Sequence, residues 1–156
     1  MTFSRTASLL AIALATATLL GCAMPHITVH DDPLSPSEHL QLGVSYEERG
    51  ELDIARKQYE MATDLPEAWF YLGNVDFRQQ RWEAAEIHYR RAIRKMPEDP
   101  RPLNNLAWML LTRNDRLDEA ETLARHAVEL APAVDAPQFR DTLDAILEAK
   151  SAPKLN

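Results

Sequence analysis

The chain has 156 residues, 46% hydrophobic and 26% charged, with ten Pro, four Gly and one Cys. That composition fits one small, helix-leaning globular unit and excludes an internal disulfide framework or a multi-cysteine zinc site. Seventeen Lys plus Arg against 24 Asp plus Glu give a formal net charge of −7, which excludes nucleic acid as a general partner because its phosphates would be repelled.

Residues 1–22 carry one positive charge, Arg5, followed by an uncharged apolar run of 14 residues over 7–20 that ends in Leu19, Leu20, Gly21 and Cys22. The length suits a signal-peptide core and is too short to cross a bilayer as a helix. The only cysteine closes this run, and the Leu-Leu-Gly-Cys segment resembles the lipobox of bacterial lipoproteins. The resemblance implies a diacylglyceryl group on the Cys22 sulfur, removal of residues 1–21 as a signal peptide, and acylation (palmitate or similar) of the new amino terminus. The mature chain then has 156 − 21 = 135 residues and, without Arg5, a charge of −8. At roughly 0.8 kcal/mol per buried CH₂, two or more acyl chains anchor stably where one is marginal. Ala23, rather than Asp, follows the cysteine and resembles the pattern exported to the outer membrane. The expected location is therefore the periplasmic face of that membrane, or the cell membrane where the host has only one.

Residues 22–36 read as a tether: Pro25, Pro33 and Pro36 break any helical periodicity. Fully extended it reaches about 50 Å, and as a coil about 20 Å, so the folded part stands off the lipid. His26, His30, Asp31, Asp32 and His39 are metal-capable side chains here, but no spacing among them matches a known site such as HExxH. A solvated linker is expected, with no metal and no cofactor.

From residue 37 the chain repeats itself. Trp69, Leu72, Gly73, Trp82, Ala85, Tyr89, Ala92 and Pro97 form one set. Leu42, Gly43, Tyr46, Gly50, Leu52, Ala55, Tyr59 and Ala62 precede it in register, and Leu106, Ala107, Leu110, Leu117, Ala120, Ala124, Ala127 and Pro132 follow. These sets resemble the tetratricopeptide repeat, with Asp76 departing from it where Tyr is expected. Gly43 and Gly73 are 30 residues apart and Gly73 and Ala107 are 34 apart, so the first repeat is short by four, in the loop before Pro66. The third repeat has one extra residue in the turn 113–116. The organisation expected is a signal peptide (1–21), a tether (22–36), repeats at 37–65, 66–99 and 100–134, a capping helix (135–150) and a tail (151–156). Leu143, Ile146 and Leu147, three and four apart, give that last helix its apolar face. The fold class is all-α, a superhelical solenoid of three repeats closed by a capping helix.

The residue types suit close helix packing. Gly43, Gly73 and Ala107 on the first helices are expected to face Ala55, Ala85 and Ala120 on the second, with Tyr59 and Tyr89 filling the gap to the next repeat. Leu52, Trp82 and Leu117 open the second helices on their buried side, and Gly50 suits a left-handed C-cap. Arg90, Arg91, Arg94 and Lys95 crowd the end of one second helix, where cations complement the macrodipole.

The resemblance implies a scaffold that grips a peptide or partner helix in the concave groove of successive first helices. The groove positions hold Phe70, Asn74, Phe77 and Arg78 from the middle repeat and Arg101, Asn104, Asn105 and Trp108 from the third. The first repeat contributes Leu40, Val44, Glu47 and Glu48. Asn side chains bond an extended backbone and aromatics supply anchor area. Repeats that clamp a C-terminal carboxylate place a Lys and two Asn on these helices; Asn74 and Asn105 match, but Leu40 stands at the Lys position.

Charge is uneven. Residues 31–67 carry a net −7, residues 68–114 a net +3 and residues 115–149 a net −6. A solvated surface is the plain reading of this basic band; an acidic partner segment, or the acidic end of a second copy in a homo-oligomer, is the electrostatic one. No Gly-rich phosphate loop, HExxH or GxSxG occurs, and His88 and His126 have only Glu86 and Glu129 near them in sequence, so no enzymatic role is expected. The function expected is a membrane-anchored periplasmic adaptor or assembly factor for an envelope machine of pilus or secretin type. The alternatives are an adaptor docking peptidoglycan-processing enzymes at the outer membrane and, from another class, a metal-binding or hydrolase accessory using the His-rich tether.

Overall fold

The computed structural model describes residues 32–134 and 136–152. The signal-peptide and lipidation readings, Cys22 included, lie outside the described residues, as do His26, His30 and Asp31. Among the described residues there are seven helices and no strand: α1 (Pro36–Glu48), α2 (Leu52–Met61), α3 (Pro66–Arg78), α4 (Trp82–Lys95), α5 (Pro100–Thr112), α6 (Leu117–Leu130) and α7 (Ala136–Ser151). Helices α1 and α2, α3 and α4, and α5 and α6 form hairpins stacked in a row, and α7 covers the last pair, packing mainly on α6 and also on α5. This is the all-α helical solenoid that the repeats imply. None of these helices is long and apolar enough to cross a membrane.

The helix starts are written in the sequence. Pro36, Pro66 and Pro100 stand at the first turn of α1, α3 and α5, where a missing N–H leaves no bond unmade. Pro36, assigned above to the tether, therefore opens α1. Its N-cap Ser35 forms a capping box with Glu38: Ser35 Oγ accepts the Glu38 N–H at 3.3 Å, and Glu38 Oε2 accepts the Ser35 N–H at 2.7 Å.

The three turns inside the repeats share one device. Gly50, Gln80 and Asn114 occupy equivalent positions with φ of 77°, 58° and 50°. Their N–H groups donate to Glu47, Phe77 and Leu111 carbonyls at 2.9, 2.9 and 2.8 Å, and the next residues donate to Tyr46, Asp76 and Leu110 at 2.9, 2.8 and 3.0 Å. Each is a Schellman ending, satisfying carbonyls the helix leaves open. Only the first uses the glycine that sequence reasoning singles out. The extra residue of the third turn is absorbed by a second left-handed residue, Arg116, at φ 44°.

One packing expectation is corrected. The glycines of the first helices face tyrosines, not alanines: a Cβ on Gly43 would lie 2.4 Å from Tyr59 Cε1, and one on Gly73 would lie 2.5 Å from Tyr89 Cδ1. Each ring lies flat across the glycine of its own repeat, and Tyr59 also stacks on Tyr71 of α3 at 5.1 Å. In the third repeat Ala124 stands at the tyrosine position, which leaves room for Ala107 opposite it; both are fully buried. Large against none and small against small fill the same layer. The main core runs from Phe70 and Tyr89 through Leu106, Met109 and Leu110 to Ile146 on α7.

Candidate functional site

The first helices of the three repeats bring Glu47 (α1), Asn74, Phe77 and Arg78 (α3), and Asn105 and Trp108 (α5) around an open cavity of about 300 Å³, with Tyr89 of α4 as its floor. Five of the eight groove residues expected from the middle and third repeats thus meet in one place, together with Glu47 of the four expected from the first. Trp108 is 45% exposed despite its size. The Phe77 ring is fixed by an edge contact with Trp82, centroids 5.6 Å apart.

The polar groups of the cavity are tied to one another. Asn74 Oδ1 accepts from Tyr89 Oη at 3.0 Å and from Asn105 Nδ2 at 2.9 Å. Glu47 Oε2 accepts from Tyr59 Oη at 2.7 Å, while Arg78 Nη1 donates to Glu47 Oε1 at 3.2 Å and to the Glu47 carbonyl at 3.4 Å. Burial, then the Glu47 carboxylate, pushes the Tyr59 hydroxyl above its ordinary range, and burial does the same to Tyr89. Both phenols remain protonated donors.

The other three predicted residues lie outside this cavity. Phe70 is 7% exposed and belongs to the core. Arg101 lies over its ring at 4.9 Å and is held by Asp99 through bonds of 2.9, 3.1 and 2.5 Å. Burial raises the Asp99 pKa, but the side-chain and backbone bonds from Arg101 outweigh it and hold the carboxyl below its ordinary range. Asn104 is half-buried, with Oδ1 enclosed and unpartnered among the described residues. Glu47, one of the groove positions expected from the first repeat, also lines the cavity, and so does Tyr89, expected only as packing. Their repeat positions were visible, but the bonds that turn them into the cavity were not.

A second polar centre lies under the joint of the first two repeats. Asp76, the departure from the repeat pattern, is completely buried. It is paired with Arg56 of α2, with Arg81 Nε at 3.2 Å, and with His88 of α4, whose Nδ1–H donates to it at 2.7 Å. It pins three helices together. His39, grouped above with the tether's metal-capable residues, is instead buried on α1 with Nδ1 2.8 Å from Gln58 Oε1. Among the described residues no three His, Cys, Asp or Glu side chains converge as a metal site would require.

Residues 66–99 and 103–131 each match a tetratricopeptide repeat family model. No curated protein matches the chain. Among solved structures, the first TPR of Spaghetti (RPAP3), bound to the HSP90 peptide SRMEEVD, is similar at 18% identity and a TM-score of 0.69, over 80% of this chain and 99% of that one. PcrH from Pseudomonas aeruginosa is similar at 24% identity and a TM-score of 0.66, over 73% and 95%. With these two matches and the stacked hairpins described above, the described residues form an all-α solenoid of tetratricopeptide repeats.

Proposed function

We propose that this tetratricopeptide solenoid is a protein-interaction adaptor that holds a segment of its partner in the groove of α1, α3 and α5. The observation that carries this reading is the cavity itself: a large indole left half in water beside Phe77 and a pair of asparagines, on the side of the solenoid that its first helices line. Exposed aromatics next to amide groups supply anchor area and backbone hydrogen bonds together. That the RPAP3 repeat is similar in fold and was solved with a peptide supports the same reading.

The finer reading rests on sequence. The apolar run ending in Gly21 and Cys22 supports a lipid anchor, and Ala23 supports the periplasmic face of the outer membrane. On such a surface the adaptor serves assembly of an envelope machine of pilus or secretin type. A photo-crosslinking side chain placed at Phe77 or Trp108 in cells tests the whole reading. Capture of a secretin or pilus component is expected; capture of a cell-wall hydrolase would select the docking role instead, and no capture at either position would remove the groove mechanism. Cys22→Ala is expected to release the chain from the membrane fraction and block its processing.

A further inference from the structure

The ion pairs around the groove restrict what it holds. Building on the groove reading above, we infer that its occupant is an uncharged internal stretch of extended polypeptide bearing one aromatic or branched aliphatic side chain, not an acidic segment or a free chain end. The two cations of the predicted groove are both spent within the chain. Arg78 is neutralised by Glu47 at 3.2 Å, and Arg101 is clamped by Asp99 and laid over Phe70. A carboxylate brought to Arg78 must share that guanidinium with Glu47, or expel a mostly buried Glu47 that also accepts the Tyr59 hydroxyl. Either course places two carboxylates together or leaves one unpaired. A cationic segment meets the reverse problem, since Glu47 is already held by Arg78.

The asparagines supply the positive half of the argument. With Asn74 Oδ1 saturated by two donors, the Asn74–Asn105 pair itself is left with Asn74 Nδ2 and Asn105 Oδ1 unpartnered among the described residues. One donor and one acceptor on paired amides match the carbonyl and N–H of a peptide unit in kind. Phe77 and Trp108 form an apolar wall, and about 300 Å³ holds one large side chain and the backbone beside it.

Two probes test this by fluorescence polarisation on the purified full chain. One is a library of acetylated, amidated decapeptides free of Asp, Glu, Lys and Arg, each with a single Phe, Leu or Ile. The other is SRMEEVD with its free carboxylate. Neutral peptides are expected to bind with no dependence on salt and to lose binding in Trp108→Ala, while SRMEEVD binds at least about tenfold more weakly. Glu47→Gln keeps an acceptor for the Tyr59 hydroxyl but unburdens Arg78; it is expected to gain about tenfold for SRMEEVD, and to lose that gain in high salt. A wild-type chain that prefers SRMEEVD, or binds its best peptides through a salt-sensitive contact, overturns the inference while leaving the groove reading intact. If neither probe binds and Trp108→Ala changes nothing, the groove reading falls with it.

Discussion

Gly73→Ala isolates the contact on which each repeat's packing turns. The new methyl would lie 2.5, 2.6 and 3.1 Å from Tyr89 Cδ1, Cε1 and Cγ, where carbon atoms prefer about 3.5 Å or more. The ring must retreat by about 1 Å, yet it is buried and its hydroxyl is held by Asn74 at 3.0 Å. Overpacking of this kind costs about 3 kcal/mol at the upper end of its range, and the better helix propensity of Ala offsets about 1, leaving a net loss of about 2 kcal/mol. In a Tyr89→Ala background the obstruction is gone. The same Gly73→Ala change should then stabilise by about 1 kcal/mol, although Tyr89→Ala itself costs about 3–5 kcal/mol for its cavity. The third repeat already contains this solution as Ala107 with Ala124. Equilibrium urea unfolding of the four proteins of the cycle reads the coupling, expected at about 3 kcal/mol. If Gly73→Ala has the same sign and size in both backgrounds, the Gly–Tyr account of repeat packing is wrong.

Three further outcomes follow from named contacts. Asp76→Ala strips a buried carboxylate from Arg56, Arg81 and His88 and should cost about 3 kcal/mol in urea unfolding; a change under about 0.5 kcal/mol would mean the centre is not a joint between repeats. Glu86 is held at a pKa of about 2, first by hydrogen bonds from Arg116, against burial, and then by those from Arg90. Its folded value lies below its ordinary value of 4.5, so its contribution is complete above about pH 4.5 and is lost as pH falls toward 2. Glu86→Gln should flatten the fall in stability over that window, measured by urea titrations at pH 3 and pH 6. Trp108→Ala should change stability by less than about 1 kcal/mol, because nearly half of the side chain is already in water, while weakening groove crosslinks or peptide affinity at least about tenfold.

The repeat was legible because its signals are local and periodic. Small residues at Gly43, Gly73 and Ala107 and glycine at position 50 each report a backbone requirement that spacing reveals. What stayed hidden depends on direction. The sequence pattern sets Gly73 against Ala85 and Tyr89 toward the next repeat, and only the direction of the ring, turned back across Gly73, shows the pairing. Phe70 occupies a groove register yet turns under Arg101 into the core. Asp76 was visible as an exception to the pattern, but its partners lie 20 residues before it and 5 and 12 after it, distances with no periodic meaning. Gln80 and Asn114 take left-handed positions without glycine because the Schellman bonds, not the residue type, fix the turn.

The basic band between acidic ends also changes meaning once partners are assigned. Its arginines reach across the repeats on either side: Arg78 to Glu47 of α1 and Arg90 to Glu119 of α6 at 2.5 Å, with Arg116 returning to Glu86 of α4 at 2.5 Å. Arg90, expected to complement the end of α4, instead joins this inter-repeat lattice with Glu86 and Glu119. A solenoid has no long-range core to hold its units in register, so each boundary must carry its own specificity. Opposite charges paired across each boundary contribute to this, beside the apolar contacts there. Arg78 and Arg90 of the band are thus engaged in aligning the stack, and on the proposed groove reading the surface offered to a partner is the one that Phe77, Trp108 and the paired asparagines line. Arg78 and Glu47 belong to both roles: their pair joins α1 to α3 and also lines the cavity of the proposed groove.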